Sequence, residues 1–168
     1  MKNLAKYGLT SAFVLTIAAL VSLPAKADEA RIPSSYLGAG VSLGGINSDT
    51  SSRLGGNITG RYKFEEVPVS FRTSVLLGNG GTSIVPTFSY DVPLGNRTNV
   101  YLGAGASVVP SNNSNSLTGD RNAFALQPGI EVSLNKNVLL YSNAVVAING
   151  YNDGRTATSV QGGVGFQF

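Results

Sequence analysis

The chain has 168 residues, with 12 Lys and Arg, 9 Asp and Glu, and neither histidine nor cysteine. This length suits one domain, and a composition with 12% charged residues does not indicate disorder. The missing histidine removes the commonest general base and metal ligand, and the missing cysteine excludes disulfides. Neither a phosphate-binding glycine loop nor a calcium loop is present. We therefore expect no cofactor and no metal.

The first 27 residues predict a secretory signal peptide. Lys2 and Lys6 supply a positive start, residues 7–23 are mostly apolar, and Ala25 and Ala27 form an A-x-A cleavage site. The alternative is a membrane anchor, which needs about 20 apolar residues; this run is shorter and is interrupted by hydroxyl side chains. We expect cleavage after Ala27, which leaves a mature domain over residues 28–168.

Removal of the signal peptide changes the charge balance. Residues 1–27 contain three lysines and no acidic residue, so the mature chain has 12 − 3 = 9 basic residues and 9 acidic ones. Its formal net charge is zero. The basic character of the full chain therefore belongs to the leader and does not indicate a nucleic-acid partner.

Alternation of apolar with small or polar residues predicts eight β-strands, because successive side chains leave opposite faces of a strand. The predicted strands span residues 36–44, 53–64, 68–78, 83–92, 99–109, 122–134, 138–148 and 156–168. Segments of this length match transmembrane β-strands, which need about 9–11 residues. The seventh is apolar on both faces, so its register is ambiguous. Pro86 and Pro128 fall in mid-strand and predict a bulge or a locally unpaired position.

The linkers alternate between tight turns and longer segments rich in Gly, Ser, Asn and Asp. The first set comprises residues 65–67, 93–98 and 135–137, and the second comprises residues 45–52, 79–82, 110–121 and 149–155. This alternation predicts an up-and-down barrel with both termini and the short turns in the periplasm and the long loops outside. Residues 110–121 have little to bury, so we expect them to be the most mobile loop and the contact surface for an external partner of unknown identity. A bare solvated connection is the alternative.

Composition assigns the two faces of the predicted barrel. The polar face is made of small and mostly uncharged residues rather than the Lys and Glu of a solvated surface. Small residues suit the narrow interior of an eight-stranded barrel, so the large apolar face points to lipid. The pentapeptide YLGAG at residues 36–40 recurs at residues 101–105 and opens strands one and five. It indicates either two similar halves or a common way to begin a glycine-rich strand.

Few charged residues fall on the inward face. They are Arg53, Arg61, Lys63, Arg72, Asp91 and Glu131. Charges inside a membrane protein are costly and are normally paired. We expect an interior polar cluster of Arg61, Arg72 and Glu131. Our interpretation is structural plugging of the barrel, and a proton or ion path is the alternative.

The final strand carries Val164, Phe166 and the terminal Phe168 on its apolar face. This pattern resembles the assembly signal of bacterial outer-membrane β-barrels. The layout resembles the small eight-stranded outer-membrane barrels of Gram-negative bacteria, namely the OmpA transmembrane-domain, OmpX and opacity-protein group. The resemblance implies contact with outer-membrane lipids, recognition by the outer-membrane insertion machinery, and a structural or surface-interaction role without catalysis.

Two other functions compete with this expectation. One is a narrow pore, although eight strands leave no aqueous channel. The other is a lipid-modifying enzyme of the outer membrane. Members of the group with deacylase activity use a His/Ser pair, and this sequence contains no histidine to serve as the base.

Overall fold

The structure is a computed structural model that describes residues 33–45, 52–110 and 116–168. The predicted signal peptide, with Ala25 and Ala27, lies outside these ranges. The strands are β1 (Tyr36–Gly44), β2 (Arg53–Lys63), β3 (Val69–Gly78), β4 (Gly81–Leu94), β5 (Thr98–Ser107), β6 (Ala123–Ser133), β7 (Val138–Ile148) and β8 (Ala157–Gln167).

The eight strands form a closed barrel in which each strand pairs antiparallel with its sequence neighbour, and β8 returns to β1. This confirms the predicted all-β, up-and-down architecture. We call the end that contains Tyr36 and Gln167 the terminal end, and the opposite end the far end. Closure leaves no unpaired sheet edge, and every strand finds hydrogen-bond partners on both sides. Within the described ranges, no helix is long and apolar enough to cross a membrane.

The connection between β3 and β4 is shorter than the predicted linker of residues 79–82. Gly78 pairs with Gly81, so only Asn79 and Gly80 lie between the strands. Gly81 has a φ of 136°, which favours glycine over residues that carry a side chain. The polar composition of this segment suggested a longer loop. The connection is shorter because Gly81 adopts a positive φ, which allows the chain to reverse within two residues.

The pairing register settles which face each residue occupies. In β7 the inward residues are Leu139, Tyr141, Asn143, Val145 and Ala147, whose partners in β8 are also inward. Large apolar side chains cover the outside, as at Leu102, which is 58% exposed, and Phe88, which is 60% exposed. The interior is mainly polar. This is the reverse of a soluble barrel and agrees with the facing predicted from composition.

Both mid-strand prolines interrupt one ladder without a change of register. Pairing of β4 with β5 stops at Thr87 and resumes as an isolated bridge between Ile84 and Val108, on either side of Pro86. Pairing of β6 with β7 is interrupted between Leu126 and Gly129, around Pro128. Proline has no N–H to donate. The outcome is the locally unpaired position that the sequence predicted.

Candidate functional site

Four charged side chains meet inside the barrel, in the half nearer the terminal end. Arg61, Arg72, Asp91 and Glu131 project inward from β2, β3, β4 and β6, and all are buried. Arg61 and Arg72 are direct cross-strand partners. Their positive charges would repel one another unless acids lay between them. We call these four residues the ionic network.

Each arginine of the ionic network bridges both acids. Arg61 Nη1 lies 2.7 Å from Glu131 Oε2, and its Nη2 lies 3.1 Å from Asp91 Oδ2. Arg72 Nη2 lies 2.8 Å from Asp91 Oδ1, and its Nη1 contacts Glu131 Oε1. Two positive and two negative groups thus form a closed cycle with no net charge. Burial of an ion costs several kcal/mol, and this cost is offset only by such close pairing.

Serine hydroxyls occupy hydrogen-bonding positions that the ion pairs leave open. Ser70 Oγ accepts a hydrogen bond from Arg61 Nε at 3.0 Å and donates one to Asp91. Ser89 Oγ accepts from Arg72 Nε at 2.8 Å. Partly satisfied buried networks are costly, whereas well-satisfied ones rigidify a core. These hydrogen bonds orient both guanidinium groups, while Arg61 Nη2 contributes the 3.1 Å ion-pair contact to Asp91 without a hydrogen bond of its own.

Polar and aromatic groups enclose the network from other strands. Asn99 Nδ2 lies 3.2 Å from an oxygen of each carboxylate. Tyr36 donates its hydroxyl to Glu131 at 2.9 Å, and the Arg72 Cζ lies 3.4 Å from the centroid of the Tyr101 ring. A cation this close to a ring face gains further stabilisation.

The two tyrosines are the first residues of the repeated YLGAG pentapeptide. Tyr36 opens this sequence in β1, and Tyr101 opens it in β5. These strands lie four apart in a closed eight-stranded barrel, so they face each other across the interior. The repeat therefore supplies one ring from each side of the ionic network.

Neutral polar side chains occupy the middle of the barrel. Asn57 Nδ2 donates to Ser42 Oγ at 2.9 Å, and Tyr141 donates its hydroxyl to Asn57 Oδ1. Thr87 donates to Gln127 Oε1 at 2.7 Å. All of these residues are buried. This layer obstructs the barrel between the ionic network and the far end.

Glycines on the inner face make room for the tyrosines. A Cβ at Gly38 would lie 2.9 Å from the Tyr141 ring, and one at Gly163 would lie 2.6 Å from the Tyr141 hydroxyl. A Cβ at Gly129 would lie 2.4 Å from Tyr101 Cζ. Real Cβ atoms do not approach other heavy atoms this closely, so Tyr101 and Tyr141 occupy the space that a side chain at these three positions would need.

The far end is closed by a loop residue. Leu117 is 1% exposed and packs with Leu76, Val85, Ala125 and Val145 in a buried apolar cluster. This finding corrects the expectation that residues 110–121 have little to bury. Residues 111–115 lie outside the described residues, but Leu117 folds back into the barrel mouth because apolar surface gains free energy on burial.

Hydrogen bonds fix the inward turn that carries Leu117. Ser116 Oγ donates to Gly119 O at 2.6 Å, and the Thr118 and Ser107 hydroxyls lie 2.6 Å apart. Gly119 has a φ of 107°, and a Cβ there would lie 2.1 Å from Gly150 O. Only glycine fits this position without strain.

Residues 116–121 and 149–155 are joined, and we call them the far-end platform. The backbone N–H of Asp120 donates to Gly150 O at 2.9 Å, and its carboxylate accepts from Asn152 N at 2.8 Å. On the exposed side, the Arg155 backbone N–H and guanidinium donate to Asp153 at 3.0 and 2.6 Å. These bonds lower the pKa of the Asp153 carboxyl from its usual value.

The structure brings the three predicted members of the interior polar cluster together and adds Asp91 to them. Asp91 was recognised as inward but was not assigned to the cluster. Tyr36 and Tyr101 were not assigned to the cluster from the sequence. Each opens one copy of the repeat at an inward-facing strand position, and this is the signal that could have identified them. Arg53 and Lys63, the other inward charges, lie at the two ends of β2.

The predicted assembly residues lie on the outer surface of β8 or beside it. Val164 pairs with Ala39 and is 51% exposed, and Phe166 pairs with Leu37. Phe168 follows the strand, and its backbone N–H donates to Ser35 O at 3.1 Å. Among the described residues, no group of three or more potential metal ligands is arranged to hold an ion.

The comparisons with known proteins address the identity of the barrel. Residues 13–168 match the family model described as the outer membrane protein beta-barrel domain. The chain belongs to this family. It is therefore a protein of the bacterial outer membrane, and the apolar outer face is the surface that contacts lipid. A comparison with curated proteins gave no match.

Solved outer-membrane barrels share the fold. The Yersinia pestis attachment invasion locus protein Ail, crystallised with the heparin analogue sucrose octasulfate, is 16% identical, with a TM-score of 0.55 over 82% of this chain and 99% of that one. Neisserial surface protein A is 15% identical, with a TM-score of 0.52 over 80% and 97% of the two chains. The N-terminal barrel of Pseudomonas aeruginosa OprF is 16% identical, with a TM-score of 0.50 over 81% and 99%.

Proposed function

We propose that this outer-membrane barrel is a sealed, non-catalytic protein that has a structural or surface-interaction role. The observation that carries the proposal is the filled interior. The ionic network blocks the half nearer the terminal end, neutral polar side chains fill the middle, and the Leu117 cluster closes the far end. A barrel whose described residues obstruct the interior at these three levels acts through its outer surfaces.

A narrow pore is disfavoured by the same contacts. An ion would have to pass Arg61, Arg72, Asp91 and Glu131, which contact one another directly. Separation of any one of these pairs would leave buried charge without a partner, which is strongly unfavourable. The interior cluster is therefore proposed to be a plug rather than an ion path.

A lipid-modifying enzyme is disfavoured by the surroundings of the buried serines. Ser70 donates to Asp91, which could suggest a nucleophile with its base. However, Asp91 is already paired with both arginines, and Ser70 is completely buried. A nucleophile needs an available base and a path for substrate, and these contacts supply neither.

We further propose that the terminal end faces the periplasm and that the far-end platform faces outward. The four connections at the far end include the longest ones, whereas the terminal end has turns of three to five residues between strands. Outer-membrane barrels place short turns in the periplasm and longer loops outside. The platform would then be the surface available to a partner.

Loop replacement in cells distinguishes the two roles. The exposed residues 152–154 are replaced by Ser-Ser-Gly, which retains Gly154 at its φ of 83°, and cells with the wild type, the replacement or no barrel are compared for envelope integrity and for binding to surfaces. A binding defect in cells with the replaced loop supports surface interaction. An envelope defect found only in cells without the barrel supports a structural role. A change in the lipid A mass spectrum that depends on the barrel would contradict the non-catalytic assignment.

A further inference from the structure

An open groove of about 430 Å³ crosses the outer face of β1, β2 and β3. Its floor is Gly60, whose cross-strand partners are Leu37 and Thr73. The Tyr62–Phe71 pair borders it toward the terminal end. The groove therefore lies in the half of the outer face that is nearer the terminal end, next to aromatic side chains.

The groove exists because Gly60 has no side chain. A Cβ built at Gly60 would find no neighbouring atom nearer than 3.9 Å, the distance to Leu37 Cδ1. The adjacent side chains do not fold over this space, since Leu37 and Tyr62 are 60% and 59% exposed. The depression is thus open to whatever surrounds the barrel.

The surroundings determine the chemistry of the occupant. The groove is part of the outer face that a barrel of this family turns toward hydrocarbon. Aliphatic and aromatic groups dominate its lining, and the outward-facing hydroxyls in it belong to Thr73 and Tyr62. Its volume lies within the range of roughly 300–1,000 Å³ that is typical of pockets for small organic ligands. A flexible alkyl chain satisfies these conditions, whereas a polar ligand would lose hydrogen bonds to water without replacement.

We propose that this groove is a binding site for one acyl chain of a glycerophospholipid in the periplasmic leaflet. The chain lies over Gly60 and against the Tyr62 and Phe71 rings. Ordinary lipid around a barrel exchanges without preference, whereas a chain held in a groove gains contacts on several sides. The choice of leaflet rests on the orientation proposed above; acyl-chain binding itself does not.

A single tryptophan reports on occupancy, because the chain contains no tryptophan. Tyr62→Trp places the reporter in the groove wall. Tyr90→Trp is the matched control, because Tyr90 lies on the outer face of β4 near the same end and is also 59% exposed. Both variants are reconstituted in vesicles of diphytanoylphosphatidylcholine, whose methyl-branched chains fit a single-chain groove poorly, with increasing fractions of a straight-chain phosphatidylcholine brominated in its acyl chains.

We expect half-maximal quenching of the groove reporter at a mole fraction at least about threefold lower than for the control reporter. Gly60→Ile should remove this difference, because its side chain would occupy the groove and its Cβ has no neighbour nearer than 3.9 Å. Gly56→Ile is the matched control, since Gly56 also faces outward on β2, lies outside the groove and has no atom nearer than 3.7 Å to its added Cβ. Gly60→Val provides a second filling variant.

Equal quenching of the two reporters would overturn the proposal, as would a preference that survives both filling variants. Brominated lipid A that quenches the groove reporter more strongly than the phospholipid would assign the groove to the other leaflet and overturn the stated source. A concentration-dependent dimer that dissociates on Gly60→Ile would instead identify a second copy of the chain as the occupant.

Discussion

Glu131→Gln tests whether the ionic network holds the barrel together. The carboxylate is completely buried and accepts hydrogen bonds from Tyr36, Arg61, Arg72 and Asn99. Glutamine has nearly the same shape, so the substitution creates no cavity. It removes the negative charge and directs amide N–H groups toward groups that are also donors.

The magnitude follows from the charge that remains. After substitution, two buried guanidinium groups share only Asp91, which leaves one uncompensated positive charge inside the barrel. Removal of one partner from a buried ion pair costs about 3–5 kcal/mol. We expect the free energy of unfolding to fall by about this amount. Glu65→Gln, at an exposed turn position, should change it by less than about 0.5 kcal/mol.

Urea unfolding of the barrel refolded into phospholipid vesicles measures this loss, with circular dichroism as the signal and the slope m checked for constancy. The double variant Arg72→Met/Glu131→Gln restores charge balance by leaving Arg61 paired with Asp91. It should therefore lose less stability than the sum of the two single variants, by at least about 1 kcal/mol. A loss below about 1 kcal/mol for Glu131→Gln, or additivity in the double variant, would refute the reasoning.

Three further predictions concern the surfaces of the barrel. Ala104→Lys, at an exposed mid-barrel position, should cost about 2–4 kcal/mol in vesicles because it places a charge in hydrocarbon; unchanged urea stability would mean that the facing is wrong. Leu117→Cys should resist a membrane-impermeant maleimide on intact cells while Asn152→Cys reacts, because Leu117 is buried and Asn152 is exposed; labelling of Asn152→Cys only after permeabilisation would invert the topology. Phe168→Asp should lower the outer-membrane yield and leave periplasmic aggregates, whereas an equal yield in membrane fractions would count against its assembly role.

Much of the fold was predictable because a strand has a period of two and a barrel has two chemically distinct sides. Predicted strand ends lie within two residues of the observed ones, as for β1, which spans Tyr36–Gly44 as predicted. β7 could not be assigned from its own residues, since Leu139 and Val145 are as apolar as their outward neighbours. Its register is fixed by pairing with β8, which is a tertiary effect that composition does not encode.

The interior was only partly predictable. Alternation identified Arg61, Arg72, Asp91 and Glu131 as inward, but which of them meet depends on side-chain reach, as when Asp91 on β4 contacts Arg72 on β3 and Arg61 on β2. Strand periodicity does not describe this reach. Leu117 was missed because its neighbours are polar and the loop as a whole reads as solvated. Its burial depends on space that inward glycines leave at the far end, and a Cβ at Gly55 would lie 2.7 Å from Leu117 Cδ1.

Single-channel recording in planar bilayers tests the sealed interior most directly. We predict that the purified wild-type barrel shows no stable conductance steps, and that Leu117→Gly alone remains silent because the ionic network still blocks the other half. Serine at all four network positions together with Leu117→Gly, Tyr141→Ala and Gln127→Ala removes the obstruction in all three layers and should produce conductance, provided that circular dichroism confirms the folded barrel. Reproducible unit conductance from the wild type, unaffected by substitution of Glu131 or Leu117, would contradict the account.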